Sequence, residues 1–500
     1  MNNPPKSAVV IGSGIAGIAT ALRLRKQGYS VTVFEANDYP GGKLTAFEQD
    51  KYRFDAGPSL FTLPYLVDEL FELFDLNPRD FFNYYPKTIA CHYFWEDGTF
   101  LPAPTDRKAF GREVESRLGV PSARLEKHLA HSELLWESTS TLFMERSLHQ
   151  WDTYFSKEVV TAASNLHRLN LLRSMHEVNA KALKNEKLTQ LFDRYATYNG
   201  SSPYLAPGVL NIIPHLEHQL GTYYPIGGMH EITQSLYKLA GDQGVDFQFN
   251  TYVEKIEIRQ NRAEGVWVQK KEAKEREWVG ADIVVSNMDV VPTYRKLMKD
   301  QKAPEKTLSQ ARSSSALIFY WGIGRTFDQL DLHNIFFSDD YRQEFEHIFK
   351  KGTTFEDPTV YVNISSKEDA DDAPEGKENW FVMVNVPGNT GQDWDQIIKE
   401  TRERVLLKLN GILEVDLKDF IENESILDPR SIESKTSSFQ GSLYGAASNN
   451  RMAAFLRHPN FHSKIEGLYF SGGSAHPGGG IPLCLLSARI TAELVDKREG

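Results

Sequence analysis

A glycine-rich segment near the N-terminus constrains the fold of this chain more than any other feature. Ala8 to Ile11 is a short apolar run typical of a buried parallel strand, and Ile15 to Lys26 has the composition of a helix. The turn between them carries the spacing Gly-x-Gly-x-x-Gly at Gly12, Gly14 and Gly17. In this context the spacing lets the backbone approach a pyrophosphate, which the N-terminus of the helix binds. The segment therefore predicts a dinucleotide-binding unit.

A second predicted strand, Ser30 to Phe34, leads directly to an acidic residue, Glu35. Glu35 follows the last glycine of the motif by eighteen residues. A carboxylate at this distance accepts hydrogen bonds from the hydroxyls of the nucleotide ribose, and its charge repels a 2′-phosphate. The position of Glu35 therefore makes a chance glycine-rich turn a poor explanation of the motif.

Length and composition limit the class of protein. A chain of 500 residues is too long for one small core, so two or three lobes are expected. The net charge of −11 and the lack of a basic block argue against nucleic acid as a partner. The two cysteines, Cys91 and Cys484, are far apart, which argues against a disulfide framework and favours the cytoplasm. No apolar run of about 18 residues predicts a transmembrane helix.

Several later segments are rich in glycine or proline. They are Gly41-Gly42-Lys43, Phe54 to Ser59, Tyr224 to Met229 and Gly472 to Pro482. One further segment, Ala281 to Met288, is an apolar predicted strand that ends in polar residues. The segment Gly472 to Pro482 opens the final helix, whose N-terminus offers free N–H groups and a partial positive charge to a negatively charged part of a bound ligand.

Together these segments resemble the signature of a large FAD family with the glutathione-reductase-like fold. That family includes amine oxidases, protoporphyrinogen oxidase and the bacterial-type, phytoene-desaturase-like carotenoid desaturases. The Tyr-Pro-x-Gly-Gly-Met segment, His333 to Ser338, Asp357 to Val362 and the C-terminal glycine-rich loop are most similar to the carotenoid desaturases, with Ala475 in place of their usual Thr. Within them, Tyr195 to Tyr204 is most similar to hydroxycarotenoid 3,4-desaturases of flavobacterial type.

The resemblance implies a fold class and a division of the chain. The expected fold is α/β, with a Rossmann-type FAD domain interleaved with a mixed α+β substrate-binding lobe and a helical lobe. The FAD domain is expected over residues 1–90, 225–290 and 431–500. Residues 91–224 are expected to form a helical, membrane-facing part of the substrate lobe, and residues 291–430 its β-sheet part.

The resemblance also implies site residues. The expected cofactor is FAD, no metal is expected, and no catalytic base can be named. Tyr224, Gly227, Met229 and His476 are candidates for substrate binding. The expected FAD-binding residues are Gly12, Ser13, Gly14, Ile15, Ala16, Gly17, Phe34, Glu35, Ala36, Gly41, Gly42, Lys43, Leu44, Gly57, Pro58, Ser59, Val253, Ser286, Asn287, Gly472, Gly473, Gly480, Ile481 and Pro482.

The implied activity is FAD-dependent desaturation of a carotenoid by hydride transfer to the flavin. The favoured substrate is a 1-hydroxylated acyclic or monocyclic carotenoid, desaturated at its 3,4 bond. The alternatives are a phytoene or neurosporene desaturase, a carotene isomerase, a flavin oxidase of amines or protoporphyrinogen, and a flavin-free lipid-binding protein. The expected electron acceptor is a quinone or oxygen.

Peripheral attachment to the inner face of the cell membrane is expected, because a carotenoid is insoluble and no spanning helix is predicted. Leu60 to Phe82 is rich in apolar residues, which predicts either a helix packed in the core or the surface that meets the membrane.

Three local patterns carry further predictions. His215 and His218 flank Glu217, but they lie in a proline-broken turn without a supporting cluster, so a polar wall is favoured over a metal site. His476 is predicted to stabilise a turn rather than to act as a base. Asp393 to Leu409 is predicted to be a helix that stops at Gly411.

Overall fold

The computed structural model describes residues 5–155, 159, 165, 168–450 and 456–500. Its strands are β1 (Ser7–Ile11), β2 (Ser30–Phe34), β3 (Ala46–Gln49), β4 (Tyr52–Asp55), β5 (Tyr84–Pro86), β6 (Ile89–Phe94), β7 (Phe100–Pro104), β8 (Tyr223–Pro225), β9 (Asp246–Gln248), β10 (Thr251–Arg259), β11 (Arg262–Lys270), β12 (Glu277–Gly280), β13 (Ile283–Ser286), β14 (Ser315–Ile323), β15 (His333–Phe336), β16 (Val360–Asn363), β17 (Glu378–Val386), β18 (Ile421–Leu427) and β19 (Leu468–Phe470).

The α-helices of the described residues pack around these strands. They are α1 (Ile15–Lys26), α2 (Tyr65–Glu72), α3 (Arg107–Leu118), α4 (Ser122–Ser140), α5 (Met175–Leu183), α6 (Glu186–Asp193), α7 (Ile213–His218), α8 (Glu231–Asp242), α9 (Val290–Pro292), α10 (Glu305–Leu308), α11 (Tyr341–Glu346), α12 (Trp394–Leu413), α13 (Pro429–Thr436) and α14 (Ile481–Glu499).

A five-stranded parallel sheet forms the first layer of the molecule, in the order β19-β13-β1-β2-β9. The central strands β1 and β13 are short runs rich in Val and Ile that are buried on both faces, as parallel strands require. Helices α1, α8 and α14 cover one face. The antiparallel sheet β10-β11-β12 covers the other face. The α/β fold class is thereby confirmed.

A seven-stranded mixed sheet forms the second lobe, in the order β18-β14-β17-β16-β15-β6-β7. Side chains of β14 alternate between its two faces. Leu317, Phe319 and Trp321 pack with helix α12, and Ala316, Ile318 and Tyr320 face the FAD-binding side. Strand β6 joins this sheet through parallel pairing with β15. The predicted boundary between residues 90 and 91 therefore falls inside a strand of the substrate lobe.

Helices α3 to α7 cover the β6–β7 end of this sheet and share a core with it. Helix α4 continues into one π-helical turn, Thr141–Glu145. The described part of residues 91–224 is therefore largely helical, and the buried sides of these helices face β6, β7 and β15. No helix among the described residues is long and apolar enough to cross a membrane.

Two local predictions need correction. The segment Leu60 to Phe82 forms the short helix α2 and one 3-10 turn, Pro78–Asp80. Most of its apolar side chains lie in the core against α1, α8 and α14, and only Tyr65 and Phe81 among its large apolar side chains are exposed. Two exposed side chains do not make the continuous apolar surface suggested for the membrane. Helix α12 continues past Gly411 to Leu413, because Leu413 is buried and Glu414 takes the left-handed conformation that ends the helix.

Candidate functional site

A single cavity of about 1760 Å³ joins the two lobes. It begins at the carboxyl ends of β1 and β2, passes between the sheets, and ends among helices α4, α6 and α7. The carboxyl edge of an open parallel sheet is where such folds bind nucleotides. The volume exceeds that of an ordinary small-molecule pocket, which is about 300–1,000 Å³. It leaves room for a dinucleotide and a second, long ligand.

The Gly-x-Gly-x-x-Gly turn closes the nucleotide end of the cavity. Gly12 has a φ of +95°, a conformation that L side chains rarely adopt. A Cβ on Gly17 would lie 2.1 Å from the carbonyl oxygen of Gly12. Helix α1 therefore packs so closely on the end of β1 that only glycine fits at position 17. Helix α1 has no side-chain cap at its N-terminus. Its first N–H groups are therefore available to the two phosphates of a dinucleotide.

Glu35 lies at the cavity wall with its carboxylate fixed by four hydrogen bonds. One oxygen accepts from the N–H and hydroxyl of Ser13, each at 2.8 Å. The other accepts from the N–H and side-chain amide of Asn37, at 2.9 and 3.0 Å. The donors hold Glu35 at the end of β2, where the fold places the ribose of a bound nucleotide. Ser13 itself does not line the cavity; it orients the residue that does.

Asn287 joins three glycine-containing segments at the centre of the FAD-binding side. Its amide donates to the carbonyl of Ser471 at 2.9 Å. A Cβ on Gly14 would lie 2.8 Å from the Asn287 oxygen, and a Cβ on Gly472 would lie 2.5 Å from its nitrogen. The glycines therefore leave space for one polar side chain that locks β1, β13 and β19 in register.

The loop Gly41-Gly42-Lys43 lies beside the turn after β1, with Gly41 N–H donating to the Ser13 carbonyl at 2.9 Å. Lys43 Nζ donates to the carbonyls of Ser442 and Leu443, both at 2.9 Å. Burial lowers the pKa of Lys43 to about 8. The side chain thus ties this loop to the C-terminal segment.

The C-terminal loop returns to the same cavity. Helix α14 begins after Gly480, which has a φ of +106°, and has no side-chain cap at its N-terminus. A Cβ on Gly479 would lie 2.7 Å from Cα of Tyr444, so the loop is in backbone contact with its neighbour. A second uncapped helix therefore begins at the cavity, beside α1.

Most of the predicted FAD-binding residues line this cavity. Gly17 and Ser286 do not: Gly17 lies in the helix–strand contact, and the Ser286 hydroxyl binds that of Thr293 at 2.9 Å. The predicted residues that line the cavity are Gly12, Gly14, Ile15, Ala16, Phe34, Glu35, Ala36, Gly41, Gly42, Lys43, Leu44, Gly57, Pro58, Ser59, Val253, Asn287, Gly472, Gly473, Gly480, Ile481 and Pro482.

The predicted substrate residues are divided by the structure. His476 lines the cavity, and its Nε2 contacts the Arg146 carbonyl at 2.8 Å, which fits the predicted turn-stabilising role. Tyr224, Gly227 and Met229 lie outside the cavity lining. Met229 instead donates its N–H to Asp55 at 2.9 Å and anchors β4. These three are therefore corrected from substrate contacts to structural residues.

The far part of the cavity is mainly apolar. Its walls come from helix α4 and the turn after it, from α7, and from the inner faces of β14 to β17. The apolar lining residues here are Ala90, Trp136, Phe143, Met144, Val209, Leu210, Ile212, Ile213, Leu216, Ile318, Ile335, Phe381 and Met383. Such walls suit a long hydrocarbon and exclude water from it.

One polar strip interrupts these apolar walls. It starts at Ser59, in the loop whose residues Gly57 to Ser59 are expected to bind FAD. The Ser59 hydroxyl bonds the Tyr361 hydroxyl at 2.7 Å. The Tyr361 hydroxyl also bonds Nδ1 of His333 at 2.8 Å. Arg194 and Glu217 form a buried ion pair at 3.4 Å in the same cavity. These side chains are polar groups on the wall of the otherwise mainly apolar far part of the cavity.

The histidines around Glu217 do not gather on a metal ion. His218 Nε2 contacts the Tyr195 hydroxyl at 2.9 Å, and the His215 ring stacks on Trp136. Within the described residues, no three His, Cys, Asp or Glu side chains are placed to hold a metal. Of His215, Glu217 and His218, only Glu217 lines the cavity, and the two histidines lie outside its lining.

Sequence reasoning did not single out His333, Tyr361, Arg194 or Glu217 as polar groups of the substrate site. His333 and Tyr361 were noted only within segments that resemble the desaturases. Their pairing depends on the register of β15 with β16, where His333 lies opposite Asn363. Arg194 carried no sequence signal, because one arginine at the end of a helix is usually solvated.

Comparison with known proteins gives a consistent result. The sequence matches the family described as flavin containing amine oxidoreductase over residues 15–496. It is 55% identical over 490 residues to 1-hydroxycarotenoid 3,4-desaturase of Flavobacterium sp. (strain P99-3), covering 98% of this chain and 99% of that protein. It is 31% identical over 528 residues to phytoene desaturase of Fusarium fujikuroi, covering 100% and 91% respectively.

Among solved structures, cyclohexylamine oxidase from Brevibacterium oxydans IH-35A has a TM-score of 0.64 at 15% sequence identity. The match covers 99% of this chain and 100% of that chain, and it shows that the fold is shared.

The cofactor of the site is FAD, and the residues on the cavity fit it: a glycine cradle, two uncapped helix N-termini and a fixed carboxylate at the ribose position. The chain is an oxidoreductase, and it belongs to the flavin-containing amine oxidoreductase family, in the group of the carotenoid desaturases.

Proposed function

We propose that this protein introduces the 3,4 double bond into an acyclic or monocyclic carotenoid that carries a hydroxyl group at C1. The observation that carries the proposal is the 55% identity, over nearly the full length of both chains, to the Flavobacterium 1-hydroxycarotenoid 3,4-desaturase. The cavity supports it, because an apolar channel with one polar strip suits a hydrocarbon with a single polar end.

The chemistry divides between the cofactor and the chain. When bound in the glycine cradle, FAD would supply the hydride acceptor, and the substrate would lose two hydrogens, one as a hydride and one as a proton from the neighbouring carbon. The chain orients the substrate: Ile318 and Tyr320 of β14 and Phe381 of β17 present a flat apolar wall on the FAD-binding side. The same wall keeps water away from the reacting carbons.

Co-expression in carotenoid-producing bacteria tests the proposal. One strain makes phytoene and the other makes a 1-hydroxylated carotene, and the pigments are analysed by chromatography, absorption and mass spectrometry. We expect a product two hydrogens lighter and red-shifted in the hydroxylated strain alone. Conversion of phytoene would instead assign an early desaturase. An isomerised product of unchanged mass, from protein that carries flavin, would assign a carotene isomerase.

The electron acceptor is proposed to be a quinone or oxygen. Turnover of the purified protein without oxygen, with and without an added quinone, distinguishes the two. Turnover that resumes on addition of the quinone alone identifies the quinone; turnover that requires air identifies oxygen.

We also propose that the protein attaches peripherally to the inner face of the cell membrane, through a surface other than Leu60 to Phe82. Trp151, Phe155 and Leu172 are 83%, 87% and 77% exposed. They follow the turn that places Phe143 and Met144 on the cavity wall. Arg168 and Arg173 are exposed beside them and suit anionic headgroups. Docking through this surface would bring the apolar end of the cavity close to the bilayer.

A paired substitution tests this surface. Trp151→Ser with Phe155→Ser is expected to reduce co-sedimentation with anionic liposomes several-fold and to leave the bound flavin unchanged. Leu407→Ser is the matched control, since Leu407 is equally exposed at 77% but lies on helix α12 of the other lobe. Equal sedimentation of the paired variant and the control would reject the surface.

A further inference from the structure

The polar strip of the cavity contains a histidine whose proton position can be derived. Nδ1 of His333 contacts the Tyr361 hydroxyl at 2.8 Å and the side-chain nitrogen of Asn363 at 3.2 Å. That nitrogen also donates to the carbonyl of Leu332 at 3.0 Å, which fixes the orientation of the Asn363 amide. An amide nitrogen only donates, so Nδ1 of His333 is an acceptor.

His333 is therefore neutral with its proton on Nε2. Burial lowers the pKa of His333 to about 4; Glu217 opposes this shift more strongly than any other charge. A neutral imidazole whose Nδ1 accepts carries its hydrogen on Nε2. In the described part of the chain, Nε2 has no hydrogen-bond partner, yet it is not one of the polar atoms sealed in the core. His333 lines the cavity, so this N–H is presented to it.

Glu217 offers the complementary group from helix α7. Its Oε2 accepts from the Tyr198 hydroxyl at 2.9 Å and from Arg194 at 3.4 Å. Its Oε1 has no hydrogen-bond partner among the described residues and is likewise not sealed in the core. The side chain is only 1% exposed and lines the same cavity. An acceptor and a donor thus line the same, mainly apolar part of the cavity, beside Arg194 and Tyr198.

The position of this pair fits the proposed reaction. A hydroxyl oxygen on C1 is three bonds from C3 and four from C4, so it lies roughly 4–5 Å from the bond that reacts, at about 1.5 Å per bond. Its binding groups must therefore lie close to the flavin. His333 is two hydrogen bonds, through Tyr361, from Ser59 of the predicted flavin loop. No remote end of the cavity satisfies this condition.

We infer that His333 and Glu217 form the subsite for the terminal hydroxyl of the substrate. Nε2–H of His333 donates to the hydroxyl oxygen, and Oε1 of Glu217 accepts the hydroxyl hydrogen. The inference rests on the proposed function. It explains how a mainly apolar channel would select a hydroxylated end: a substrate without the hydroxyl leaves a donor and a carboxylate oxygen unpaired in a dry site.

The test compares two substrates on the purified, FAD-loaded protein. One is the 1-hydroxylated carotenoid, and the other is the same polyene with hydrogen in place of the hydroxyl, both dispersed in the same liposomes. We expect the wild type to favour the hydroxylated substrate by about 10²–10⁴-fold in kcat/KM. His333→Phe is expected to reduce this ratio at least tenfold, and His333→Gln, which keeps a donor, to restore part of it.

The matched control is His92→Phe on the adjacent strand β6. His92 pairs with Asn334 in the sheet and does not line the cavity, so the ratio is expected to stay at the wild-type value. Glu217→Gln provides a second variant on the other element, and it is expected to reduce the ratio because an amide oxygen is a weaker acceptor than a carboxylate.

The outcomes separate the inference from the function on which it rests. A wild type that desaturates both substrates equally, or variants at His333 and Glu217 that keep the full ratio, would overturn the subsite and leave the desaturase activity standing. A wild type that desaturates phytoene and neither of the two test substrates would overturn the proposed function itself. Loss of the ratio in His92→Phe would show that any change to this sheet disturbs selection, and would also reject the subsite.

Discussion

The contact between Gly17 and Gly12 predicts that a single methyl group displaces helix α1. In Gly17→Ala the new Cβ would lie 2.1 Å from the Gly12 carbonyl oxygen and 2.9 Å from Oδ1 of Asn287. A carbon and a carbonyl oxygen normally approach to about 3.3–3.6 Å, so the helix must move by roughly 1 Å. Because the carbonyl belongs to the backbone of β1, it cannot turn away as a flexible side chain could.

The displacement has two measurable effects. Overpacking of this kind lowers the free energy of unfolding by about 1–3 kcal/mol. The N–H groups of helix α1 move with the helix, so FAD affinity is expected to fall at least tenfold, since a misplacement of about 1 Å costs about 10² in a positioned site. The assay is the flavin absorbance per protein after gel filtration, together with thermal unfolding in the presence of added FAD.

Gly241→Ala is the matched control for this substitution. Gly241 lies within helix α8, and a Cβ there would meet no atom within 4 Å. Alanine at such a position stabilises a helix by up to about 1 kcal/mol, and the flavin content should not change. Full flavin content in Gly17→Ala, or loss of flavin in Gly241→Ala, would refute the reasoning from the glycine contacts.

Three further predictions follow from the buried charges. Arg194→Met leaves Glu217 without its cation and should lower the free energy of unfolding by about 3–5 kcal/mol. Adding Glu217→Leu should recover much of this loss in stability, measured by chemical denaturation. Absence of that recovery would contradict the pairing. Glu35→Gln leaves Ser13 or Asn37 donors without an acceptor, so FAD affinity should fall about tenfold in a fluorescence titration; unchanged affinity would exclude Glu35 as the ribose carboxylate. Burial raises the pKa of Glu344 to about 7 from 4.5, so the folded protein favours the protonated acid, and this stabilisation is lost as the pH rises from 4.5 through 7. Between pH 4.5 and pH 8 the wild type should therefore lose about 3 kcal/mol more stability than Glu344→Gln in thermal unfolding. Parallel plots of stability against pH for the two proteins would refute the raised pKa of Glu344.

The FAD-binding side was largely predictable because its determinants are local. Gly12, Gly14, Gly17 and Glu35 act through the backbone geometry of one strand–turn–helix unit, and that geometry is encoded within a few residues of each glycine. Helix ends were less predictable. Gly411 has the identity of a stop signal, but burial of Leu413 extends helix α12 past it.

The substrate side was less accessible to sequence reasoning because its contacts are tertiary. The apolar residues between Leu60 and Phe82 have the same composition whether they face a core or a membrane, and only packing against α1, α8 and α14 decides for the core. Tyr224 and Met229 lie in a segment that resembles the desaturases, yet they support Asp55 and the β5–β8 pair rather than the cavity. Arg194 and Glu217 are twenty-three positions apart in the chain, and no local sequence pattern indicates that they form an ion pair.

The strand order of the FAD-binding sheet has a consequence for biosynthesis. β19 forms its edge beside β13, and helix α14 packs against α1, so residues from both ends of the chain complete one nucleotide site. At about 5–20 residues per second, roughly 25–90 s separate the translation of β1 from that of β19. During that interval the part of α1 that packs against α14 lacks its final cover. The nucleotide site is therefore complete only once β19 and α14 have been synthesised and have packed beside β13 and α1.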